Sequence, residues 1–253
     1  MSSPRTIHLT CDTGEAPAGP ARDREHQLLV HVSLACIACG GHAGDEASMI
    51  EAVVAAKAAN VRVAAHPSYP DRINFGRKSM SLGEHELAKV LGSEIETFRM
   101  ICEGLGVPVF AVKPHGALYH AAATTSHIAH TLAQVTIDIA PKARIIAPAG
   151  SATLSTYTSL GLGVLAEAFA DRRYEADGSL RSRSYANATI TDPYQAAEQA
   201  RSIAVNDSVT AVDGSRVPLH TDAVCIHSDT PNAVEIASAV GTTLKDAGVA
   251  IGP

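Results

Sequence analysis

Short apolar runs recur along this chain, and each stops abruptly. Residues 7–11 run into Asp12-Thr13-Gly14-Glu15, 34–39 into Gly40-Gly41-His42-Ala43-Gly44-Asp45, and 61–65 into His66-Pro67-Ser68-Tyr69-Pro70-Asp71. Further on, 109–112 meet Lys113-Pro114-His115-Gly116, 164–169 lead to Asp171-Arg172-Arg173, and 223–226 meet His227-Ser228-Asp229. Only 143–147 ends blandly, at Pro148, Gly150 and Ser151. Apolar runs of this length, bounded by turn residues, read as buried strands.

Between the strands the apolar spacing turns helical. Asp45 is placed to cap a helix that carries Met49, Val53, Ala56 and Ala59 on one stripe. Ser81 is placed to cap a longer one, in which Leu87, Val90, Leu91, Ile95, Phe98, Ile101 and Leu105 keep step until Gly106. Helices are also expected over 25–32, 126–139 and 193–205, and after Thr230-Pro231. The stretch 209–219, with Asp213-Gly214 at its centre, reads as a hairpin outside the main sheet, and 174–191 as an irregular polar segment.

Seven strand-then-helix units in series imply a parallel sheet, because each helix supplies a crossover. The fold class is therefore α/β, as a (β/α)7 barrel or a doubly wound sheet. A doubly wound sheet binds at one switch-point crevice, whereas a barrel uses the carboxyl ends of its strands all round the rim. Six of the seven strand ends here carry ionisable groups. The barrel is the better reading, as one domain over 1–253.

Composition narrows the partners. The 253 residues are 46% hydrophobic and 18% charged, with a formal charge of −6, which argues against a nucleic-acid face. No apolar run approaches the ~20 residues that span a bilayer. The start, Met1-Ser2-Ser3-Pro4-Arg5-Thr6, lacks the apolar core of an export signal, so a cytoplasmic location is expected. Five cysteines give no disulfide framework, and Cys36 and Cys39 would point to opposite faces of their strand. No Walker A lysine motif and no GxSxG elbow is present.

The candidate chemistry lies at the strand ends: Asp12, Glu15, His42, Asp45, His66, Asp71, His115, His227 and Asp229. Imidazoles with carboxylates suit a Zn, Mn or Fe site, and Asp12, His42 and His66 are the expected ligands. The same set equally describes a metal-free polar pocket. Lys113, Arg172 and Arg183 supply cations for an anionic group, Arg as a planar fork and Lys as a point charge.

With these residues assembled, the chain resembles the LamB/YcsF family. The matching segments are Cys11-Asp12-x-Gly14-Glu15, Ile37-Ala-Cys-Gly-x-His42-Ala-Gly-Asp45, and Ala65-His-Pro-Ser-Tyr-Pro-Asp71 with Phe75-Gly-Arg77. They continue with Val112-Lys-Pro-His-Gly-Ala-Leu-Tyr119, Glu167-Ala-Phe-Ala-Asp-Arg172 with Arg183, and His227-x-Asp-Thr-Pro231. The resemblance implies a barrel related to glycoside hydrolase and deacetylase barrels. It further implies ATP-dependent opening of 5-oxoproline to L-glutamate, with 5-oxoprolinase subunits B and C as partners.

The roles implied are hypotheses for each residue. Lys113, Arg172 and Arg183 would neutralise phosphate and substrate carboxylate. Asp12, Glu15 and Asp45 would hold a divalent cation (Mg or Zn) or act as base, while His42, His66, His115 and His227 would shuttle protons. Asp71, Arg77, Asp171 and Asp229 would bind substrate or phosphate. Lys113→Ala or His115→Ala is expected to abolish turnover and leave the melt nearly unchanged.

Departures occur at Thr10 and Cys36, where the family has Asn, and at Gly41, where it has an aromatic whose loss would open a pocket wall. Asn74, His120 and Ser228 also differ. Two other readings fit the residues. One is a metal-dependent amidohydrolase or deacetylase using Asp12, His42 and His66; the other is a non-catalytic subunit that binds a small acid.

Overall fold

The computed structural model describes residues 5–252. Met1 to Pro4, where the reading of the export signal begins, and Pro253, the last residue of the expected domain, lie outside the described residues. The elements in order are β1 (Thr6–Thr13), α1 (Pro20–Leu28), β2 (Leu34–Ala38), α2 (Glu46–Ala58), β3 (Arg62–His66), α3 (Glu84–Gly104) and β4 (Val109–Val112). Next come α4 (Gly116–Thr124), α5 (Ser126–Ile139), β5 (Arg144–Pro148), α6 (Thr153–Ser159), β6 (Val164–Phe169) and α7 (Pro193–Asn206). The chain ends with β7 (Ser208–Thr210), β8 (Arg216–Pro218), β9 (Ala223–Ile226), α8 (Ala233–Asp246) and β10 (Ala250–Ile251).

Strands β1 to β6 and β9 pair in parallel in that order, and β9 pairs back with β1, with Leu9 opposite Val224. The barrel is closed and has seven strands. Closure leaves a narrow interior, and the sequence fills it with small side chains. Cys36, Ala64 and Ala111 pack there with Leu34, Ile146 and Leu165. Below them the Phe110 ring carries the Arg62 and Arg144 guanidinium groups at 4.2 and 4.6 Å. That end of the barrel is plugged, so access is from the other. Alternate residues such as Ala35, Ile37 and Val63 face outward into the larger core beneath the helices. Cys36 and Cys39 fall in different clusters, inside and outside the barrel.

The antiparallel hairpin of β7 and β8 stands apart from the barrel, as the Asp213-Gly214 signal predicts. β10 extends β1 from outside the ring. Among the described residues, no helix is long and apolar enough to cross a membrane.

Several local expectations need correction. Ser81 does not cap α3, which starts after Gly83. The first helix begins at Pro20 behind Gly19 and ends in a 3-10 turn, Leu29–His31, so it starts five residues before 25. Gly116 opens a further helix, α4, which is not among the expected ones. Asp45 caps α2 as expected, in a reciprocal box with Ser48: its carboxylate accepts from Ser48 N at 2.8 Å. Asp45→Ala is expected to lower the thermal midpoint by a few degrees, read by circular dichroism, and to leave substrate KM unchanged.

A candidate active site at the open end of the barrel

The strand ends converge where the barrel opens. Lys113, delivered by β4, points back across the interior and is buried. Its Nζ donates to Asp12 Oδ1 at 2.8 Å and lies 3.2 Å from Glu167 Oε1 and 3.3 Å from Cys225 Sγ. Glu167 also accepts from Thr10 Oγ1 at 2.9 Å and the Tyr119 hydroxyl at 3.1 Å. Burial alone would lower the Lys113 pKa, but the Asp12 carboxylate overrides it and holds the amine well above its usual range. Burial would likewise raise Asp12, yet Lys113 and His66 pull it far down. Glu167 keeps a raised value, because burial there outweighs Lys113. The lysine is a locked cation, not a nucleophile.

Above this network sit Glu15, His42, His66 and His115, whose ligand-type atoms all lie within 4.8 Å of one another. Three of them are held from behind. Glu25, buried on α1, accepts the backbone N–H groups of Gly14, Glu15 and Ala16 at 2.9, 3.2 and 2.9 Å, which fixes the loop carrying Glu15. His66 Nδ1 donates to the Lys113 carbonyl at 2.7 Å, and His115 Nε2 donates to the Phe75 carbonyl at 3.0 Å. Gly76 permits this close packing. Its φ is +63°, and a Cβ there would stand 2.8 Å from His42 Cβ and 3.0 Å from His115 Cδ2.

Burial sets the protonation of this cluster. His42 is lowered to about 3, and His66 and His115 fall well below the usual imidazole range, all chiefly through burial. Glu15 is pushed up to about 8 by burial, with the Asp12 and Asp229 charges adding to it. A carboxyl that titrates near neutrality beside neutral imidazoles has the make-up of a general acid–base pair.

The cleft over these groups measures about 440 Å³, and its walls include Lys113, His115, Tyr119, Arg172, Arg183 and His227. At the rim Asp229 pairs with Arg77 and stands 3.5 Å from Arg183. Arg181 is taken by Glu175 and Asn187. Arg172 differs: one Nη donates to the Arg181 carbonyl at 2.7 Å, while its buried Nε has no partner. Burial, then the neighbouring Arg183 charge, lowers its pKa to about 10. A buried guanidinium with a free donor and a like charge beside it favours an anion.

The structure thus brings together Asp12, Glu15, His42, His66, Lys113 and His115, with Arg77, Arg172, Arg183, His227 and Asp229 around the mouth. Asp171 lies beneath, buried, accepting from the His227 ring and the Thr230 hydroxyl. Two residues are elsewhere. Asp45 is spent on capping α2, and Asp71 holds its own turn by accepting from Asn74. Of the expected metal set, His42 and His66 lie in the cluster with Glu15 and His115, while Asp12 accepts from Lys113.

Two departures from the family pattern read differently in three dimensions. Position 41 does not face the cleft. A Cβ on Gly41 would lie 2.5 Å from both a Glu94 carboxylate oxygen and Ser68 Oγ, so Glu94 fills the space of the missing side chain. Thr10 and Cys36 are inside the barrel; Thr10 donates to Glu167, away from the substrate space.

Glu25, Glu94, Glu167 and Tyr119 were absent from the expected site. Two signals were available: Tyr119 and Glu167 bound segments that match the family pattern, and an isolated Glu in the apolar run 164–169 needs a partner.

Comparison with known proteins follows the same lines. The sequence model of the LamB/YcsF family matches residues 7–253. The A subunit of 5-oxoprolinase from Chloroflexus aggregans is 40% identical over 246 residues, covering 97% of this chain and 98% of that protein. Its counterpart of the same name in Neisseria meningitidis serogroup A is 39% identical over 227 residues, covering 90% and 93%. The crystal structure of a lactam utilization protein from Thermus thermophilus superposes with a TM-score of 0.88 at 35% identity, covering 97% and 98%. A family 4 carbohydrate esterase from Streptomyces lividans, at 16% identity with a TM-score of 0.50 over 100% of this chain and 94% of its own, shares the fold alone.

Proposed function

The chain belongs to the LamB/YcsF family, and from that premise we propose that it serves in the ATP-dependent opening of 5-oxo-L-proline to L-glutamate. It would do so in the cytoplasm, with 5-oxoprolinase subunits B and C as partners. The observation that carries this reading is likeness, along nearly the whole chain, to proteins named as the A subunit of 5-oxoprolinase.

The lactam is a resonance-stabilised amide that water attacks slowly. ATP supplies a phosphoryl group to the lactam oxygen, with ADP leaving. Water then adds to the ring carbon and the ring C–N bond breaks as the nitrogen gains a proton, leaving an acyl phosphate, which a second water hydrolyses to the carboxylate and free phosphate. The residues support these needs in order. Arg172, with its free Nε, and Arg183 receive the substrate carboxylate at the mouth. Lys113 places fixed positive charge below the ring, where negative charge grows on oxygen. Glu15, with a pKa near neutrality, takes a proton from water and returns one to the ring nitrogen.

The test is an assay of glutamate and ADP release from 5-oxoproline by the chain alone and by the chain with subunits B and C. Release that depends on both 5-oxoproline and this chain is the expected outcome; none in the full mixture refutes the reading. Arg172→Ala is expected to raise KM for 5-oxoproline by roughly 10–100-fold, with a smaller effect on kcat, and Arg172→Lys to recover only part. Steady-state kinetics of the assembled complex check it, and an unchanged KM would place the carboxylate elsewhere.

The imidazole–carboxylate cluster favours a second reading, metal-dependent hydrolysis of a related amide without ATP. Glutamate release that survives removal of ATP and stops on chelation would select it.

A further inference from the structure

Two imidazole nitrogens in the cluster face each other in a way that neutral rings do not tolerate. The outer nitrogens, His66 Nδ1 and His115 Nε2, each lie against a backbone carbonyl, at 2.7 and 3.0 Å. A carbonyl only accepts, so both outer nitrogens carry their hydrogens. The inner nitrogens, His66 Nε2 and His115 Nδ1, then hold lone pairs, yet they are 3.0 Å apart. Glu15 Oε1, a third acceptor when ionised, is 3.3 Å from His115 Nδ1 and 3.8 Å from His66 Nε2. All three side chains are inaccessible or nearly so, and water cannot screen the repulsion. Three convergent acceptors at these distances call for a shared proton or a metal ion among them.

We propose that Glu15, His66 and His115 form a three-ligand site for one divalent ion of the zinc class, with its fourth position open to the cleft. Tetrahedral zinc with bonds of about 2.0–2.1 Å sets its ligands about 3.3 Å apart, near the three separations found here. The two carbonyls behind the rings act as the outer partners that fix the tautomer of a metal-bound histidine.

His42 has a different part. Its ring stacks on His115 at 3.7 Å with the planes 3° apart, so an ion in the plane of one ring lies out of the plane of the other. It is instead a positioning residue: its Nε2 lies 2.9 Å from Glu15 Oε1 and donates to the ionised carboxylate. Asp12 Oδ1 lies 3.6 Å from His66 Nε2 but already accepts from Lys113, which leaves Glu15 as the carboxylate for the ion. The site is read without any lactam; with an ion bound, Glu15 is a ligand and not the free base proposed above, and water at the open fourth position would take over that role.

The chelator-stripped full-length chain is loaded with zinc, dialysed and assayed by mass spectrometry, and a second sample takes Co²⁺ for its visible spectrum. The wild type is expected to keep one zinc per chain and to show the intense bands of a four-coordinate cobalt site. His66→Ala and His115→Ala each lose both signals; His42→Ala keeps the metal with a shifted spectrum. Because a buried histidine variant can fail to fold, imidazole ¹⁵N spectra of the wild type are recorded with and without zinc. Zinc should move His66 Nε2 and His115 Nδ1 and leave the outer nitrogens protonated. No retained zinc and no such shift would mean that a proton alone bridges the rings, which overturns the proposal. Retention in His115→Ala with loss in His42→Ala overturns the ligand assignment. Neither readout depends on turnover, so failure of the 5-oxoproline assay leaves this result standing.

Discussion

Lys113→Ala is expected to abolish turnover and to lower the thermal midpoint by about 10 °C. The amine lies between Asp12 and Glu167, both buried, and no other cation replaces it among their hydrogen-bond partners. Removing one member of a buried ion pair costs about 3–5 kcal/mol, because the remaining charge stays out of water. For a chain of this length each kcal/mol moves the midpoint by about 2–4 °C. Reading Lys113 as a strand-end residue facing only a cleft would give an unchanged melt; its burial in the barrel is the reason to expect otherwise. The double variant Asp12→Asn with Lys113→Ala should recover much of the stability and none of the activity. Calorimetry of the three variants checks the expectation, and a wild-type melt for Lys113→Ala would refute the locked-cation assignment.

Between pH 5 and 8 the folded state should lose stability through Glu94. This carboxyl is buried under the loops after β2 and β3, where it accepts from Ser68 N at 3.1 Å and from Gly41 N, with no cation at hand. Burial raises it from an ordinary 4.5 to about 8, against the pull of those two N–H groups. Below 4.5 both the folded and unfolded chains hold the proton, so the contribution is fully present. From there to about 8 the unfolded chain releases the proton while the folded chain keeps it, and stability falls as pH rises. The span is on the order of 4 kcal/mol. Glu15, also raised to about 8, contributes in the same direction, so the wild-type slope alone is not diagnostic. The difference between wild type and Glu94→Gln isolates the effect: the variant should be flatter from pH 5 to 8 by urea unfolding. Parallel curves would show that Glu94 ionises normally in the fold.

Glu94 and Gly41 also explain why one departure from the family pattern is misleading in one dimension. Read along the chain, a missing aromatic beside His42 suggests a wider pocket. In space the position faces α3, and a carboxyl from residue 94 occupies it. Glu25 makes a similar point from the other side of the cluster. In the sequence it opens an amphipathic stretch; folded, it gathers three backbone N–H groups and sets the place of Glu15.

The sequence by itself determined the seven buried strands, the parallel order implied by their helical crossovers, and the rim where Asp12, His42, His66, Lys113, His115 and His227 emerge. These are local properties, written in apolar period and in the residues that break it. Only the tertiary structure decided which partner each ionisable group takes. Asp12 meets Lys113 because closing the ring puts β1 and β4 across a narrow interior, and His66 meets His115 because β3 and β4 are neighbours. Hydrophobic periodicity says which face a residue is on, not what stands opposite it, and for a buried charge the opposite group decides whether it is a structural pair, an acid or a ligand.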